Sequence, residues 1–482
     1  MTDEIAHNIL SLVVIKLKGG NESMKCFKKV LVFLVIALLS ATVVFANGTS
    51  ETRSAQKQSI KLWLGWPSLE NIFKQIKADF EAANPNVELE ITAMSVRDLE
   101  QKLAVSLPSG SGPDILITSE YIIPRYIGMG YIATPPASVV DFVENNFDEL
   151  VKSINKFKGP EDSEEKIYGV PHIGIARVQY VNLSLMKELG LNPVTPTTWE
   201  EQMKIAKAMT QYDSNGNITR SGMSLRIFGG GSGIGEKFMI KLVQAGGSFV
   251  GRTADGKWKA AYNSEAGVDT LEYYINALYK YKVDSFEAKH DTEAFVNGLT
   301  GMYDRELFPI TDIHSRAPEI EFATAPMPGY KFRGTVYSTE SYFVSQSSKN
   351  KDIAWDFIIF CQKEEYVKRF FVERGWIPPR TDIDFSDIYA IYPEFKAAYE
   401  FPEGYKFWVY PKLVECDEII TKFAEHLVDI FKNTSLLDNR DGMMSVLNEL
   451  AKETNEILKE NGNLGEGPIV KFGDVIDAPR NL

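Results

Sequence analysis

Between Ser59 and Ser119 strand and helix patterns alternate without a break, and nothing else in the chain restricts its fold so tightly. "SIKLWLGW" reads as a strand; after Pro67 the apolar residues Leu69, Ile72, Phe73, Ile76 and Phe80 recur at helical spacing until "NPN" stops them. "VELEITAM" is a second strand, "RDLEQKLAVSLPSG" a second helix and "PDILITS" a third strand. Strand, helix, strand, helix, strand calls for a parallel sheet covered on both faces, so the expected class is α/β. Ligands of such sheets bind beyond the carboxyl ends of the strands, which here are "GWPS" and "TSEYI".

Further on, "KIYGVPHIGIARVQYVN" is a long extended stretch, and "PTTWEEQMKIAKAMT" is a helix with Thr198 as its N-cap. "DSNGNI" and "TADGKW" carry turn-plus-strand patterns, "EAGVDTLEYYINALYKYKV" is an amphipathic helix, and a helical tail from Cys416 to Asn461 is expected to end the protein.

The stretch "KKVLVFLVIALLSATVVFANG", from Lys28 to Gly48, decides the compartment. Two lysines, an unbroken apolar run and small residues ending at Ala46 form the three-part layout of a secretory signal peptide. The run is slightly short for a membrane span of roughly 20 residues, so removal is expected rather than retention as an anchor. Lys18-Gly19-Gly20 is encodable by a purine-rich ribosome-binding sequence just before Met24, so residues 1–23 read as an overrun with translation starting at Met24; a genuine extension is the alternative. Residues 47–58 then form a flexible linker, and the exported protein is expected to be periplasmic or otherwise extracytoplasmic. No cysteine follows Ala46, which leaves no acceptor for lipid there.

Charge and composition remove several functions. The chain holds 52 Lys and Arg against 65 Asp and Glu, and without its first 46 residues the formal charge falls from −13 to −15. Such a chain repels phosphate backbones, and no basic stripe is present, so nucleic acid is not an expected partner. Cys361 and Cys416 stand alone and far apart, while His172, His290, His314 and His426 show no ligand spacing. Neither a disulfide framework nor a metal is expected, and no cofactor is. "IFGGGSGIGEKF" lacks G-K-[ST] and fails the dinucleotide fingerprint, so nucleotide binding is not expected either.

Ten motifs appear in one order: "SIKLWLGW", "FEAANPNVELE", "LPSGSGPDILIT", "YGVPHIGIARVQYVNLSLMKELGL", "PTTWEEQMKIAKAMT", "QAGGSFV", "FVNGLTGMYDRELF", "FATAPMPG", "SQSSKNKDIAWDFIIF" and "ERGWIPPR". In order and spacing they resemble the extracellular solute-binding proteins, family 1, the carbohydrate-capturing subunits of ABC importers, over about Ser59 to Leu450. The resemblance implies a two-lobe periplasmic-binding-protein-like fold (type II) whose lobes are joined by crossing strands and close over a sugar without catalysis. It places the crossings near Ile173, Val336 and Asp387, giving lobe 1 as 59–173 and 337–387 and lobe 2 as 174–336 and 388–482. Implied partners are a carbohydrate and the transmembrane subunits of an ABC permease, and a monomer is expected.

A sugar presents an apolar C–H face and a rim of hydroxyls, so its pocket pairs aromatic plates with carboxylates and amides; each hydroxyl buried without a partner costs about 1–3 kcal/mol. Trp66 lies just past the first strand, and Ser119, Glu120 and Tyr121 follow the third in the same way, whereas Trp63 inside the strand reads as core. His172 and Arg177 lie on the crossing strand, where a structural role competes with a binding one. By similarity Phe308 falls where the family places an aromatic platform, with Arg305 and Glu306 beside it, and Ser232 and Gly233 fall on a cleft-lining loop. Glu340 adjoins a hinge crossing. Trp376 in "RGWIPPR" and Trp408 in "YKFWVYP" are aromatics among loop residues and are expected in the cleft, while Trp199 reads as packing. Cys361 and Cys416 fall in different lobes and are expected as free thiols.

Two rivals remain. Glu120, Asp304, Glu306 and Glu340 are available as a carboxylate pair for glycoside hydrolysis. On the same fold the cargo is alternatively a glycerol phosphate diester, held by Arg177, Arg226 or Arg305.

Overall fold

In the computed structural model, which describes residues 57–229 and 232–478, the first three strands form as the alternation demands. Strand β1 (Gln58–Leu64) buries Ile60, Leu62 and Leu64 and pairs in parallel with β2 (Val87–Ala93) and β3 (Ile115–Ser119). Helix α1 (Glu70–Ala83) turns Ile72, Phe73, Ile76 and Phe80 to one face, each at most 2% exposed. Those four side chains contribute roughly 6–12 kcal/mol before conformational entropy is subtracted. The Asn84 amide closes the helix by donating to the Phe80 carbonyl at 2.9 Å. Helix α2 (Val96–Ser109) starts at Ser95, whose hydroxyl accepts from the Asp98 amide, and stops at Gly110, which takes the left-handed φ of 67° that a glycine adopts without strain. The segment from Lys28 to Gly48, Met24 and Cys26 lie outside the described residues. Among the described residues no helix is long and apolar enough to cross a membrane.

The long extended stretch is broken at Arg177 into β4 (Val170–Ala176) and β5 (Val178–Asn182), which join different sheets. Strand β5 is the centre of an antiparallel three-stranded sheet between β6 (Met302–Arg305) and β7 (Phe322–Pro326). Strand β8 (Gly334–Val344) is buried along all 11 residues and serves both regions. Its first residues, Gly334–Val336, run parallel to β9 (Lys406–Trp408), Tyr337–Tyr342 pair with β4, and Glu340–Val344 pair antiparallel with β3. The chain thus passes between two α/β lobes at the β4–β5 junction and again along β8.

The expected helical tail is present as α8 (Cys416–Lys432) and α9 (Arg440–Glu460), but it does not end the protein. Strands β10 (Ile469–Phe472) and β11 (Val475–Asp477) follow, the first added to the strand Val250–Thr253 and the second to β9. Between them the fully buried Asp474 accepts from the amides of Phe249 and Val250, from the Ser248 hydroxyl and from the Trp408 indole. Strands of four and three residues added at a sheet edge carry no periodicity to read. Cys361 and Cys416 are both buried free thiols.

Candidate functional site

Arg177, the single residue between β4 and β5, is held by two carboxylates. Its Nη2 lies 2.7 Å from Glu236 Oε1 and its Nη1 2.7 Å from Glu306 Oε1. Glu236 stands in the first turn of α4 (Gly233–Gln244) and also accepts from the Tyr410 hydroxyl at 3.0 Å. Glu306 follows β6 directly, with Arg305 Nε 3.1 Å from its other oxygen. Burial disfavours the Glu306 charge, but Arg177, Arg305 and Lys237 outweigh it and hold the carboxyl down at about 2. Lys237 donates to the Asp304 carbonyl, and its own burial lowers the ammonium to about 8.

Two neighbouring carboxyls move the other way. Glu120, at the end of β3, accepts from the Thr339 amide at 2.9 Å through Oε2, while its buried Oε1 has no hydrogen-bond partner. Burial raises it to about 8, opposed by the amide bonds and reinforced by Glu340 and Glu236. Glu340, in the middle of β8, accepts from the Trp66 indole at 2.7 Å; burial raises it to about 7 and the indole pulls it back.

A cavity of 450 Å³ adjoins this network. One wall carries Trp66 and Ser68 after β1 and Glu373–Ile377 at the end of α7 (Glu364–Arg374). The opposite wall carries Glu306, Leu307 and Phe308, then Thr311, Asp312 and Ser315 of α6 (Pro309–Arg316), and Gly174, Ile175 and Ala176 of β4 form the floor. Trp66 meets Trp376 edge to face at 5.7 Å, and Phe308, 36% exposed, lies under the Arg305 guanidinium at 5.3 Å. The walls touch backbone to backbone at Gly375, where φ is 58° and an added Cβ would sit 2.5 Å from the Leu307 carbonyl carbon and from the Phe308 nitrogen. Aromatic faces beside carboxylates with unused acceptor capacity suit a hydroxylated ring.

Of the residues singled out in the sequence, Trp66, Glu306, Phe308 and Trp376 line this cavity, and Glu340 is bonded to Trp66. Arg305 backs Glu306 and Phe308. Ser119 is paired through its backbone with Glu340, and Glu120 is tied to Thr339. Tyr121 is elsewhere in the network, stacked on Tyr410 at 4.4 Å. Ser232 precedes α4 and Gly233 opens it, with the Arg226 guanidinium 3.0 Å from where a Gly233 Cβ would stand; neither lines the cavity.

Two placements correct the expectation. His172 is enclosed by Phe73, Tyr342, Phe370 and Trp376, and burial lowers it to about 3, so it is a neutral core residue. Trp408 is 1% exposed inside β9, its indole donating to Asp474 at 3.0 Å, so it supports Tyr410 from behind, 4.5 Å away, and is no wall of the cavity. Its flanking loop residues disguise a strand completed by a distant segment.

Sequence reasoning passed over Glu236, Tyr410 and the Thr311, Asp312, Ser315 face of α6. That last group was readable: Ile310 and Ile313 go to the core, and at about 100° per residue Thr311, Asp312 and Ser315 fall together on the opposite side of the helix. Glu236 had only its place one turn after a glycine-rich loop.

The model of the bacterial extracellular solute-binding proteins matches residues 66–368. An arabinooligosaccharide-binding protein of Bacillus subtilis is 21% identical over 381 residues, covering 74% of this chain and 82% of its own. A solute-binding protein of an ABC transporter from Thermotoga lettingae, solved with α-D-tagatose, superposes with a TM-score of 0.67 at 19% identity, over 83% of this chain and all of that one. UgpB of Mycobacterium tuberculosis, solved with glycerophosphocholine, also gives 0.67, at 16% identity over 84% of this chain and 99% of its own. The fold they share is the two-lobe one, and with the family match extending over more than half of the sequence, the chain belongs to the bacterial extracellular solute-binding proteins.

Proposed function

We propose that this protein is the extracytoplasmic capture subunit of an ABC importer, taking a neutral sugar or oligosaccharide between its lobes and delivering it to the membrane permease. The lobes are assigned as 59–173 with 337–387, and 174–336 with 388–482. The observation that carries the reading is the cavity itself: Trp66 and Trp376 line one cavity with Phe308 and Glu306, and its lining comes from sequence-distant segments. Closure brings these plates together on the ligand, and the ligand shifts the open and closed populations by its difference in affinity for them. Trp66, Glu306, Phe308, Glu340 and Trp376 form the binding set. Arg305 fixes Glu306. The protein works as a monomer without catalysis, because the family is one of binding proteins and Glu306, clamped by two arginines, is unsuited to give up or take a proton at neutral pH.

The test is a thermal-shift screen of mono- and oligosaccharides and of glycerophosphodiesters. A true ligand at 100 times its dissociation constant adds about 2.7 kcal/mol to stability. Stabilisation by a sugar, lost in Trp66→Ala, supports the reading; stabilisation by the phosphodiester alone, lost in Arg305→Ala, replaces it with anion capture.

A further inference from the structure

A second hollow, 700 Å³ in volume, shares no lining residue with the cavity between the lobes. It is built around α3 (Trp199–Met209), whose first turn is fixed by a reciprocal capping box between Thr198 and Glu201. The Trp199 amide donates to the Gly329 carbonyl at 2.8 Å, and the Gly329 amide donates to the Thr197 carbonyl at 3.0 Å, which clamps the loop 329–332 on the start of the helix. Tyr330 is thereby laid parallel to Trp199, ring centres 5.1 Å apart and planes 12° from parallel, yet Tyr330 stays 56% exposed. The Trp199 indole N–H is already spent on Gln244, and the Tyr273 hydroxyl on Gln202. Trp199 and Tyr273, both buried, thus form an apolar backing, and the face presented outward is the ring of Tyr330.

The opposite side comes from an irregular helix. Helix α5 (Glu265–Ile275) runs into a π-helical turn, Asn276–Lys280, and Lys282 has a φ of 52°. Turns of this kind are costly and gather at functional positions. Here Asn276 and Tyr281, at either end of the turn, both line the hollow. Its rim is polar and preset: Arg440 holds Asp269 at 2.8 Å and also grips Glu272, while Lys331 reaches Asp269 at 3.2 Å. Glu200, Lys204 and Lys207 complete a rim of mixed sign. A charged ligand meets like charge on part of this rim, and a purely apolar one would strand oriented carboxylates and an amide. A neutral polyol with one apolar face meets neither obstacle, and the volume lies within the roughly 300–1,000 Å³ of small-ligand sites.

We propose that this hollow is a second carbohydrate site, taking a short neutral oligosaccharide segment against Tyr330 with Asn276, Glu272 and Glu200 at its hydroxyls. It goes beyond the transport reading and stands whether or not the cavity between the lobes takes a sugar. The seven tryptophans provide the test. The protein is labelled with ¹⁵N at its indoles and titrated to millimolar concentration with maltotriose, arabinotriose and cellotriose. The Trp199 resonance is expected to shift saturably with at least one of them, on a curve distinct from any at Trp66 and Trp376. Tyr330→Ala weakens that titration about tenfold and Glu200→Gln a few-fold, both leaving the Trp66 and Trp376 curves unchanged. An unmoved Trp199 resonance with all three sugars overturns the proposal, as does a shift of unaltered affinity in both variants. A shift that follows protein concentration instead of sugar assigns the surface to self-association and overturns it too.

Discussion

Gly375→Ala separates closure from stability. Gly375 ends α7 in the left-handed conformation, φ 58°, and its Cα packs directly on the Leu307–Phe308 peptide. Alanine meets two costs. The left-handed backbone costs about 1–2 kcal/mol wherever the helix end persists, in open and closed forms alike. The new methyl, 2.5 Å from Leu307 C and Phe308 N, costs a further 1–3 kcal/mol or so, but only when the walls approach as seen here. On the reading that this contact is made on closure alone, ligand affinity drops about 5- to 150-fold while unfolding stability drops by no more than the first cost. Gly110 supplies the control: it ends α2 with φ 67°, and a Cβ there meets only Ser347 Cβ at an ordinary 3.7 Å. Gly110→Ala therefore loses similar stability and no affinity. Calorimetric titration with the ligand found by thermal shift, beside urea unfolding of both variants, gives the two numbers. Equal affinities in the two variants would show that the Gly375 contact is not made on closure, and the reasoning fails.

Arg177→Met leaves the buried Glu236 without its cation and the half-buried Glu306 with Arg305 alone, and should cost about 3–5 kcal/mol in urea unfolding, most of it recovered when Glu236→Gln is added. Trp66→Ala removes a cavity plate and strips Glu340 of its indole donor; an affinity loss of about 2 kcal/mol, some thirtyfold, is expected by titration. Glu120 and Glu340, raised to about 8 and 7, stabilise the fold fully below the unfolded carboxyl value near 4.3 and lose that contribution as pH rises through 7 and 8. Melting temperature should thus decline from pH 5 to 9, and decline less in Glu120→Gln and Glu340→Gln. Glu306, held at about 2, acts oppositely: its contribution is present above about 4.3 and is lost as pH falls through 2, so Glu306→Gln should lose less stability than the parent between pH 4.5 and 2.

What the sequence disclosed follows the range of the interactions. The strands β1 to β3 and α1 were legible because Ile60, Leu62 and Leu64, then Ile72, Phe73, Ile76 and Phe80, announce their faces locally. Trp66, Glu306, Phe308 and Trp376 were legible as residues just beyond regular elements. His172 was not, since β4 is buried on both faces and alternation there says nothing about which side meets a cavity. Trp408 was misplaced because the residue that satisfies its indole, Asp474, lies 66 positions on, in a tail whose strands have no pattern of their own. Glu236, Arg177 and Glu306 come from three separate elements, and only their assembly makes them one charge network.

That network bears on what the cleft can accept. Arg177 and Arg305, two of the three cations an anionic cargo would seek, with Arg226 the third, are already within 2.7–3.1 Å of Glu306, and Arg177 also of Glu236. A phosphodiester would have to displace a carboxylate that Arg177, Arg305 and Lys237 hold well below the usual carboxylate range. It would leave that half-buried carboxylate without its cations. A neutral solute displaces nothing. The same fold holds glycerophosphocholine in UgpB, so the choice between cargoes lies in side chains: Arg177 and Arg305 are taken here, whereas Arg226 and the cavity-lining Arg374 each keep a buried Nε without a hydrogen-bond partner among the described residues.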